Sequence, residues 1–326
     1  MIRYSIIRPL KEYDEFLWNT LTSTFKIDNI EECEVIFAAE EECTATDMAQ
    51  MISSNFPNIP SKIIINSKIH CENPKLSNLI KGWNVAEGHW ILMVDSNIQL
   101  PFDTLHRLFK VWNPYVGIIC SPPLGTDPES FWAEVECAYL NTFQAKWQRI
   151  VDYCGFAFVQ GKVMVVCKQQ FEKLGGLAAL ASEPCEDASA TKMVRKADLK
   201  VRLASRLFSQ PLGRRSLRQV WNRQIRWAQL RRVTFPLWYS FEIFVSALPN
   251  LLLLVLFPHN FLIILLFWIG SYIGEILLAY SFSWHQSLVQ PFAMLVRDFM
   301  MIGVWTMGWF GNSWNWNGKT IRLKGK

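Results

Sequence analysis

No two cysteines stand three positions apart in a CxxC pair anywhere in the chain. The eight present (Cys33, Cys43, Cys71, Cys120, Cys137, Cys154, Cys167 and Cys185) are scattered. That scatter excludes the usual zinc ligand pattern and a disulfide framework, and it suits reduced thiols facing a cytosol. The five histidines show no ligand spacing. Neither GxGxxG nor GxxxxGK occurs, which argues against a dinucleotide-binding dehydrogenase or a P-loop enzyme. Internal repeats and low-complexity segments are missing too. Met1 to Arg8 is too short and too charged to be a signal peptide, and it reads as a first strand. Acid is absent between Ser209 and Arg232, a stretch that holds seven arginines.

What the chain has in excess is apolar surface. Hydrophobic residues make up 51% of its 326 positions, with 15 tryptophans. The excess lies after position 232 and is too large for a plain soluble domain. The net charge of +5 is modest, and no nucleic-acid partner is expected. One large domain or two smaller ones fit the length.

The central stretch is His89-Trp90-Ile91-Leu92-Met93-Val94-Asp95-Ser96-Asn97. A short continuous apolar run reads as a buried strand of a parallel sheet. Its acid, Asp95, sits at the carboxyl end, where open α/β sheets place their ligand crevice. Asp, Ser and Asn are also ordinary turn formers. Around it, strands are predicted at 4–7, 34–39, 62–66, 116–120, 163–167 and 201–204. Helices are predicted at 46–55, 74–87, 101–111, 131–150 and 187–196, with a short one closed by Gly175-Gly176. Pro74 suits a first helical turn. The alternation predicts an α/β class with a mainly parallel sheet.

Residues 209–232 predict an Arg-rich amphipathic helix. Leu217, Val220, Trp221, Ile225 and Ala228 fall on one face, and such helices lie in a membrane interface. Three apolar stretches follow, about 233–257, 261–284 and 288–309, each long enough to span a bilayer. Glu242 interrupts the first, Glu275 the second and the adjacent pair Arg297-Asp298 the third. Lys and Arg are missing from the loops at 258–260 and 281–291, while the tail carries Lys319, Arg322, Lys324 and Lys326. The positive-inside tendency puts both the arginine helix and the tail in the cytosol. Two full spans with a re-entrant or interfacial third stretch satisfy this; three spans with the tail outside is the alternative.

Four constellations carry chemistry: Glu40-Glu41-Glu42, Asp95, Glu186-Asp187 after the Gly-Gly turn, and Arg223-Gln224-Ile225-Arg226-Trp227. Taken singly, the first reads as a solvated turn and the third as an acidic helix start favoured by the dipole. Arg223, Arg226 and Trp227 at i, i+3 and i+4 share a helix face. Two guanidinium forks suit a diphosphate, and an indole suits a ring. The aromatics Phe131, Trp132, Tyr139, Phe143 and Trp147 read as core, with a lining for acceptor lipid as the second reading.

The order acid, acid, Glu-Asp, RxxRW, then apolar spans resembles membrane glycosyltransferases of the GT-A fold. It is most similar to ceramide glucosyltransferases and related bacterial lipid glycosyltransferases, whose pattern is D, D, D, (Q/R)xxRW. Pro9-Leu10-Lys11 resembles that family's first strand exit. Asn73-Pro74-Lys75 with Asn78-Leu79 resembles its NPKxxNL, Asp95-Ser96-Asn97-Ile98 its DSxI, and Pro101, Asp103, Thr104 and Leu105 its PDTL with Phe102 interposed. Gly175-Gly176-Leu177 and Glu186-Asp187 resemble its GGL…ED. Three departures stand out. Glu40 replaces the first Asp. Asn97 stands where an Asp-x-Asp site has its second acid. The N-terminal membrane anchor of eukaryotic members does not precede the first predicted strand.

The resemblance implies an inverting transferase moving a sugar, glucose first, from a UDP-sugar to ceramide. Hopanoid or diacylglycerol acceptors are the nearest alternatives, and an inactive nucleotide-sugar or lipid binder is another. Two or three spans are too few for the channel of a polysaccharide synthase. Asp187 would be the general base. Lys11, Glu40, Lys75, Asp95, Glu186, Arg223, Arg226 and Trp227 would bind donor, and Asp95 would hold a divalent cation, Mg²⁺ or Mn²⁺. The implied organisation is a cytosolic GT-A domain over 1–208, the interfacial helix 209–232, a membrane region 233–312 and a basic tail 313–326. The implied location is a bacterial inner membrane or a Golgi-type membrane, crossed more than once, with the catalytic domain facing the cytosol.

Overall fold

In the computed structural model the described residues are 2–11, 13–40, 43–65, 73–183, 185–311, 313–316 and 319–322. Glu41, Glu42, Cys71, Lys324 and Lys326, all singled out above, lie outside them. The chain divides into two compact units, Met1–Leu124 with Ala145–Pro211, and Gly125–Gln144 with Leu212–Lys326.

The first unit is built on a seven-stranded sheet. In chain order its elements are β1 (Tyr4–Pro9), α1 (Leu17–Ser23), β2 (Cys33–Ala38), α2 (Ala45–Ser54), β3 (Ser61–Ile64), α3 (Pro74–Val85), β4 (Trp90–Val94), α4 (Thr104–Phe109) and β5 (Val116–Ser121). The chain leaves this unit through β6 (Pro123–Pro128) and α5 (Phe131–Ala138). It returns with α6 (Lys146–Tyr153), β7 (Val163–Cys167), α7 (Lys168–Lys173), α8 (Glu186–Lys196) and β8 (Lys200–Leu203), and leaves again in β9 (Phe208–Gly213).

The strand order is β3-β2-β1-β4-β7-β5-β8. Four pairings are parallel, and β7 runs antiparallel to both β4 and β5. The expected mainly parallel sheet is therefore present, with one reversed strand. Apolar clusters cover both faces. Ile7, Ile91, Met93, Met164 and Val166 pack on one side, and Ile6, Leu92, Val94, Val163 and Val165 on the other. Two-sided burial is why these strands read as unbroken apolar runs. From β1 the order runs outward to β2 and β3 on one side, and to β4 on the other. The carboxyl ends of β1 and β4 thus flank a topological switch point, where such sheets bind ligands. Asp95 follows β4 directly, and Lys11 lies two residues past β1.

Three local features escaped the sequence reading. Helix α1 was not expected. Nor were β6 and β9, whose Pro and Gly residues mask strand character and which pair as a two-stranded sheet. The helix expected at 131–150 is instead α5, a π-helical turn at Tyr139–Ala145, then α6.

The second unit is helical: α9 (Leu217–Thr234), α10 (Pro236–Phe241), α11 (Leu248–Leu256), α12 (Phe261–Ser281) and α13 (Gln290–Trp309), with α5 among them. A short hairpin of β10 (Ser313–Trp316) and β11 (Lys319–Arg322) follows. Helix α9 starts with a capping box, Ser216 and Gln219 each bonding the other's backbone N–H. It buries Val220, Gln224 and Ala228, while Leu217, expected on the apolar face, is exposed. Trp132, Tyr139 and Phe143 pack with Val220, Met294 and Met301, as core aromatics do.

One helix of this unit, Pro258–Ser281, is 24 residues long with mean hydropathy 2.2, enough to cross a bilayer. The stretch at 233–257 is broken: Pro236–Val245 and Leu248–Leu256 meet at 55°. Helix α13 carries Arg297 and Asp298, both buried. Arg297 pairs with Asp298 at 2.8 Å and with Glu275 at 3.1 Å, and Tyr272 donates to Asp298 at 2.8 Å. Buried charges paired in this way are tolerable in an apolar surround.

Gly88, just before β4, has no room for a side chain. A Cβ there would stand 2.6 Å from Ser5 N and 2.7 Å from Tyr4 C, both backbone atoms. Gly88→Ala should cost about 1–3 kcal/mol through overpacking. Thermal unfolding of the variant should show a clear fall in Tm; an unchanged Tm would contradict this packing.

Candidate active site

The first unit gathers Lys75, Asp95, Glu186 and Asp187, all named from the sequence. Asn73 caps α3 through its side chain, which accepts from Lys75 N at 3.0 Å and Leu76 N at 3.3 Å, and Pro74 fills the first turn. This fixes where Lys75 emerges. The Lys75 ammonium lies 2.9 Å from Asp95 Oδ1 and 3.0 Å from Glu186 Oε1, and it donates to Gly161 O at 2.6 Å. The amide of Asn73 donates to the other Glu186 oxygen at 2.9 Å. Asn78, further along the same motif, is buried and donates to Leu10 O at 3.4 Å, holding the segment that carries Lys11.

Three contributors were missed. Lys162, at the start of β7, contacts Asp95 Oδ2 at 2.8 Å and donates to Asn97 Oδ1 at 3.3 Å. It arrives because β7 runs antiparallel to β4, and Asp95 N donates to Lys162 O at 2.9 Å. Arg8 is fully buried at the end of β1. It donates to Asp95 O at 2.7 Å, Ile98 O at 2.8 Å, Thr20 O at 2.9 Å and Thr24 Oγ1 at 3.0 Å, clamping the Asp-Ser-Asn turn. Gly161 makes room for Asp187: a Cβ there would overlap its Oδ1. A glycine ahead of a strand was the only sequence sign of it.

The charges differ sharply in behaviour. Burial would raise Asp95, but Lys162 and Lys75 outweigh it and hold the carboxyl below its usual range. For Lys75, burial pulls down, and Asp95, Glu186 and Asp187 together push it well above the usual lysine value. Asp187 is the exception. Burial, then Glu186, push it up to about 7 against the pull of Lys75. A backbone hydrogen bond from Gly161 also opposes the rise without overcoming it. One cluster thus holds one carboxyl below its usual range and another near neutrality.

Lys11 and Glu40 stand exposed past the ends of β1 and β2. In the second unit, Glu136 is fully buried, pairs with Arg223 and lies 3.3 Å from Arg215 Nε. Burial, then the neighbouring Arg223, lower Arg226 to about 10. Trp227 packs on Ala133, Cys137, Leu140 and Leu212. Its indole is thus partly spent on packing, which was not foreseen.

A divalent cation has oxygen donors available here, the Asp95 carboxylate and the Asn97 amide, which suit Mg²⁺ or Mn²⁺. Both Asp95 oxygens already carry an ammonium, so an ion fits by exchange with one of them. Cys185, Glu186 and Asp187 also bring three ligand atoms within 4.8 Å of one another.

Comparison with known proteins gives a consistent picture. The family described as glycosyl transferase family 21 matches residues 3–326. Ceramide glucosyltransferase 1 of Caenorhabditis elegans is 22% identical over 235 residues, 71% of this chain and 50% of that protein. The chain thus spans about half the length of that relative. Among solved structures, the mannosyltransferase PcManGT from Pyrobaculum calidifontis, in complex with GDP-Man and Mn²⁺, is similar with a TM-score of 0.52. It is 14% identical, covering 72% of this chain and 63% of that one. At that identity the likeness shows a shared GT-A-like fold.

The raised Asp187 has a consequence for stability. Its folded value of about 7 exceeds the ordinary 3.8, so the folded chain holds this proton more tightly than the unfolded one. The stability it contributes is present below the unfolded value and lost as pH rises through about 7. Asp187→Asn should therefore unfold at a higher temperature than the parent at pH 8, the gap closing towards pH 4. Equal Tm values at pH 8 would contradict the assignment.

Proposed function

Since the chain belongs to glycosyl transferase family 21, we propose that it moves glucose from UDP-glucose to ceramide, with inversion at the sugar carbon. The observation that carries this is the half-buried Asp187 carboxylate, packed against Gly161 and held near neutrality, next in the chain to Glu186, which shares Lys75 with Asp95.

In this reading the acceptor hydroxyl lies within hydrogen-bond reach of Asp187 Oδ1. The hydroxyl oxygen bonds to the anomeric carbon as the carbon–oxygen bond to the diphosphate breaks. The proton passes to Asp187, and UDP departs. A base near neutrality combines the right protonation state with proton-transfer drive. Lys75 and Lys162 stabilise charge as it grows on the leaving group. A divalent cation, when bound at Asp95 and Asn97, supplies further neutralisation of the diphosphate. Arg8 keeps the Asp95 turn in place, and Glu186 orients Lys75. Lys11, Glu40, Arg223, Arg226 and Trp227 are assigned to the donor by their motifs.

A lipid acceptor is supported by the apolar helices of the second unit and by the activity in the worm relative's name. The charge distribution supports a multi-pass protein with its catalytic unit on the cytosolic side.

The test is a transfer assay on detergent-solubilised protein with UDP-glucose and ceramide, reading UDP and glycolipid together. Both products should appear. Asp187→Asn should lose at least about a hundredfold in rate, the scale of general-base catalysis, while UDP affinity is largely kept. Glycolipid formed from diacylglycerol or a hopanoid and not from ceramide would replace the acceptor. An Asp187→Asn protein that still transfers, or no longer binds UDP, would remove Asp187 from the role of base.

A further inference from the structure

Asn97 makes the metal-side turn poorer in negative charge than an Asp-x-Asp turn, and the structure shows what stands there instead. The Lys162 ammonium bridges Asp95 Oδ2 at 2.8 Å and Asn97 Oδ1 at 3.3 Å. Lys75 holds the opposite oxygen of Asp95 at 2.9 Å. Two ammonium groups on one carboxylate carry the charge of one divalent ion. Neither is placed by chance. Lys162 is fixed by its backbone bond to Asp95 N and by the Val94–Val163 register of β4 and β7. Lys75 is fixed by the Asn73 cap and by Glu186.

A divalent ion must compete for this carboxylate. Among the described residues, the Asp95 and Glu186 oxygens each have an ammonium or amide against them. An ion ligated by Asp95, at about 2.0–2.6 Å from its oxygen, would stand close to two positive charges unless one swung away. The diphosphate of a donor meets no such obstacle. Each ammonium has three N–H donors, and phosphate oxygens accept charge-assisted hydrogen bonds well. Both side chains keep about a fifth of their surface exposed, Lys75 at 20% and Lys162 at 22%, so an incoming anion can reach them.

We infer that Lys75 and Lys162 serve the donor diphosphate in place of a divalent ion, so that nucleotide binding proceeds without one. This rests on reading the cluster as the donor site of a glycosyltransferase. Lys162 becomes a donor-binding residue that no motif indicates. Asn97 becomes the substitution that suits it, because an acid there would draw the ammonium away from the phosphates and open an oxygen-rich ion site.

The test is calorimetric titration of the full-length protein with UDP, in EDTA and then in Mn²⁺. The unchanged protein should bind UDP with little difference between the two. Lys162→Met should lose about tenfold or more in affinity in EDTA and recover part of it in Mn²⁺, as expected where a charge-assisted contact is removed. Asn97→Asp should gain dependence on the ion, binding UDP weakly in EDTA and more tightly in Mn²⁺. A gained dependence of this kind cannot come from misfolding. Loss of UDP binding by the unchanged protein on chelation would overturn the inference and leave the donor-site reading intact. UDP binding in neither medium would overturn the donor-site reading, and the inference with it.

Discussion

A single ammonium group holds the first unit's chemistry together. Lys75 joins Asp95 at the end of β4, Glu186 at the start of α8 and the Gly161 carbonyl before β7. These segments lie far apart in the chain. Without that cation, Asp95 would keep only Lys162 and Glu186 only the Asn73 amide, and nothing would tie the two carboxylates together. With it, Asp95 stays ionised and Glu186 stays close. Asp187, next along the helix, feels Glu186 and its own burial more than it feels Lys75. It is left poised near neutrality while Asp95 is held in its charged form. The contrast between an acid held ionised and one held near neutrality follows from where Lys75 and Lys162 are aimed.

Much of this was legible in the sequence, for identifiable reasons. Asp95 stood out because an acid at the end of a short apolar run falls where such sheets bind ligands, although the stretch alone also reads as an ordinary turn and the other motifs were needed to favour it. Asn73-Pro74-Lys75 could be read because cap, first-turn proline and projecting lysine are local events. Gly175-Gly176 and Glu186-Asp187 likewise marked a turn and a helix start. Arg8, Gly161 and Lys162 were not legible, because their roles come from register. An apolar run reads as a parallel strand, yet one strand of such a sheet can be reversed, and Lys162 reaches Asp95 because β7 is. Arg8 looked like a charged strand exit, yet it is buried, since the carbonyls it satisfies come from the Asp95 turn and from α1, a helix the sequence did not reveal. The π-helical turn in the 131–150 stretch was hidden for the opposite reason: its composition is that of an ordinary helix.

The second unit shows how charge is managed where the chain is most apolar. Arg297 pairs with both Asp298 and Glu275 inside the helical cluster, and Tyr272 donates to Asp298. Arg231 forms a two-point pair with Glu242 at 2.8 and 2.6 Å. The arginine helix, read from sequence as a membrane-facing cationic strip, thus has several of its charges committed within the unit: Arg215 and Arg223 to Glu136, and Arg231 to Glu242. Glu136 went unremarked in the sequence because a lone acid on a helix gives no sign of being buried. Its pairing with Arg223 and Arg215 makes the geometry of the RxxRW segment depend on one counter-charge.

The central claim is that Asp187 accepts the proton of the acceptor hydroxyl with an affinity set by its burial beside Glu186. The most direct measurement is the pH dependence of the glycosyl-transfer rate at limiting acceptor. The account predicts a rate that rises with pH through the acidic range, about tenfold per unit for a single ionisation, and levels off near pH 7. A rate that is already level at pH 5, or that falls between pH 6 and 8, would contradict it.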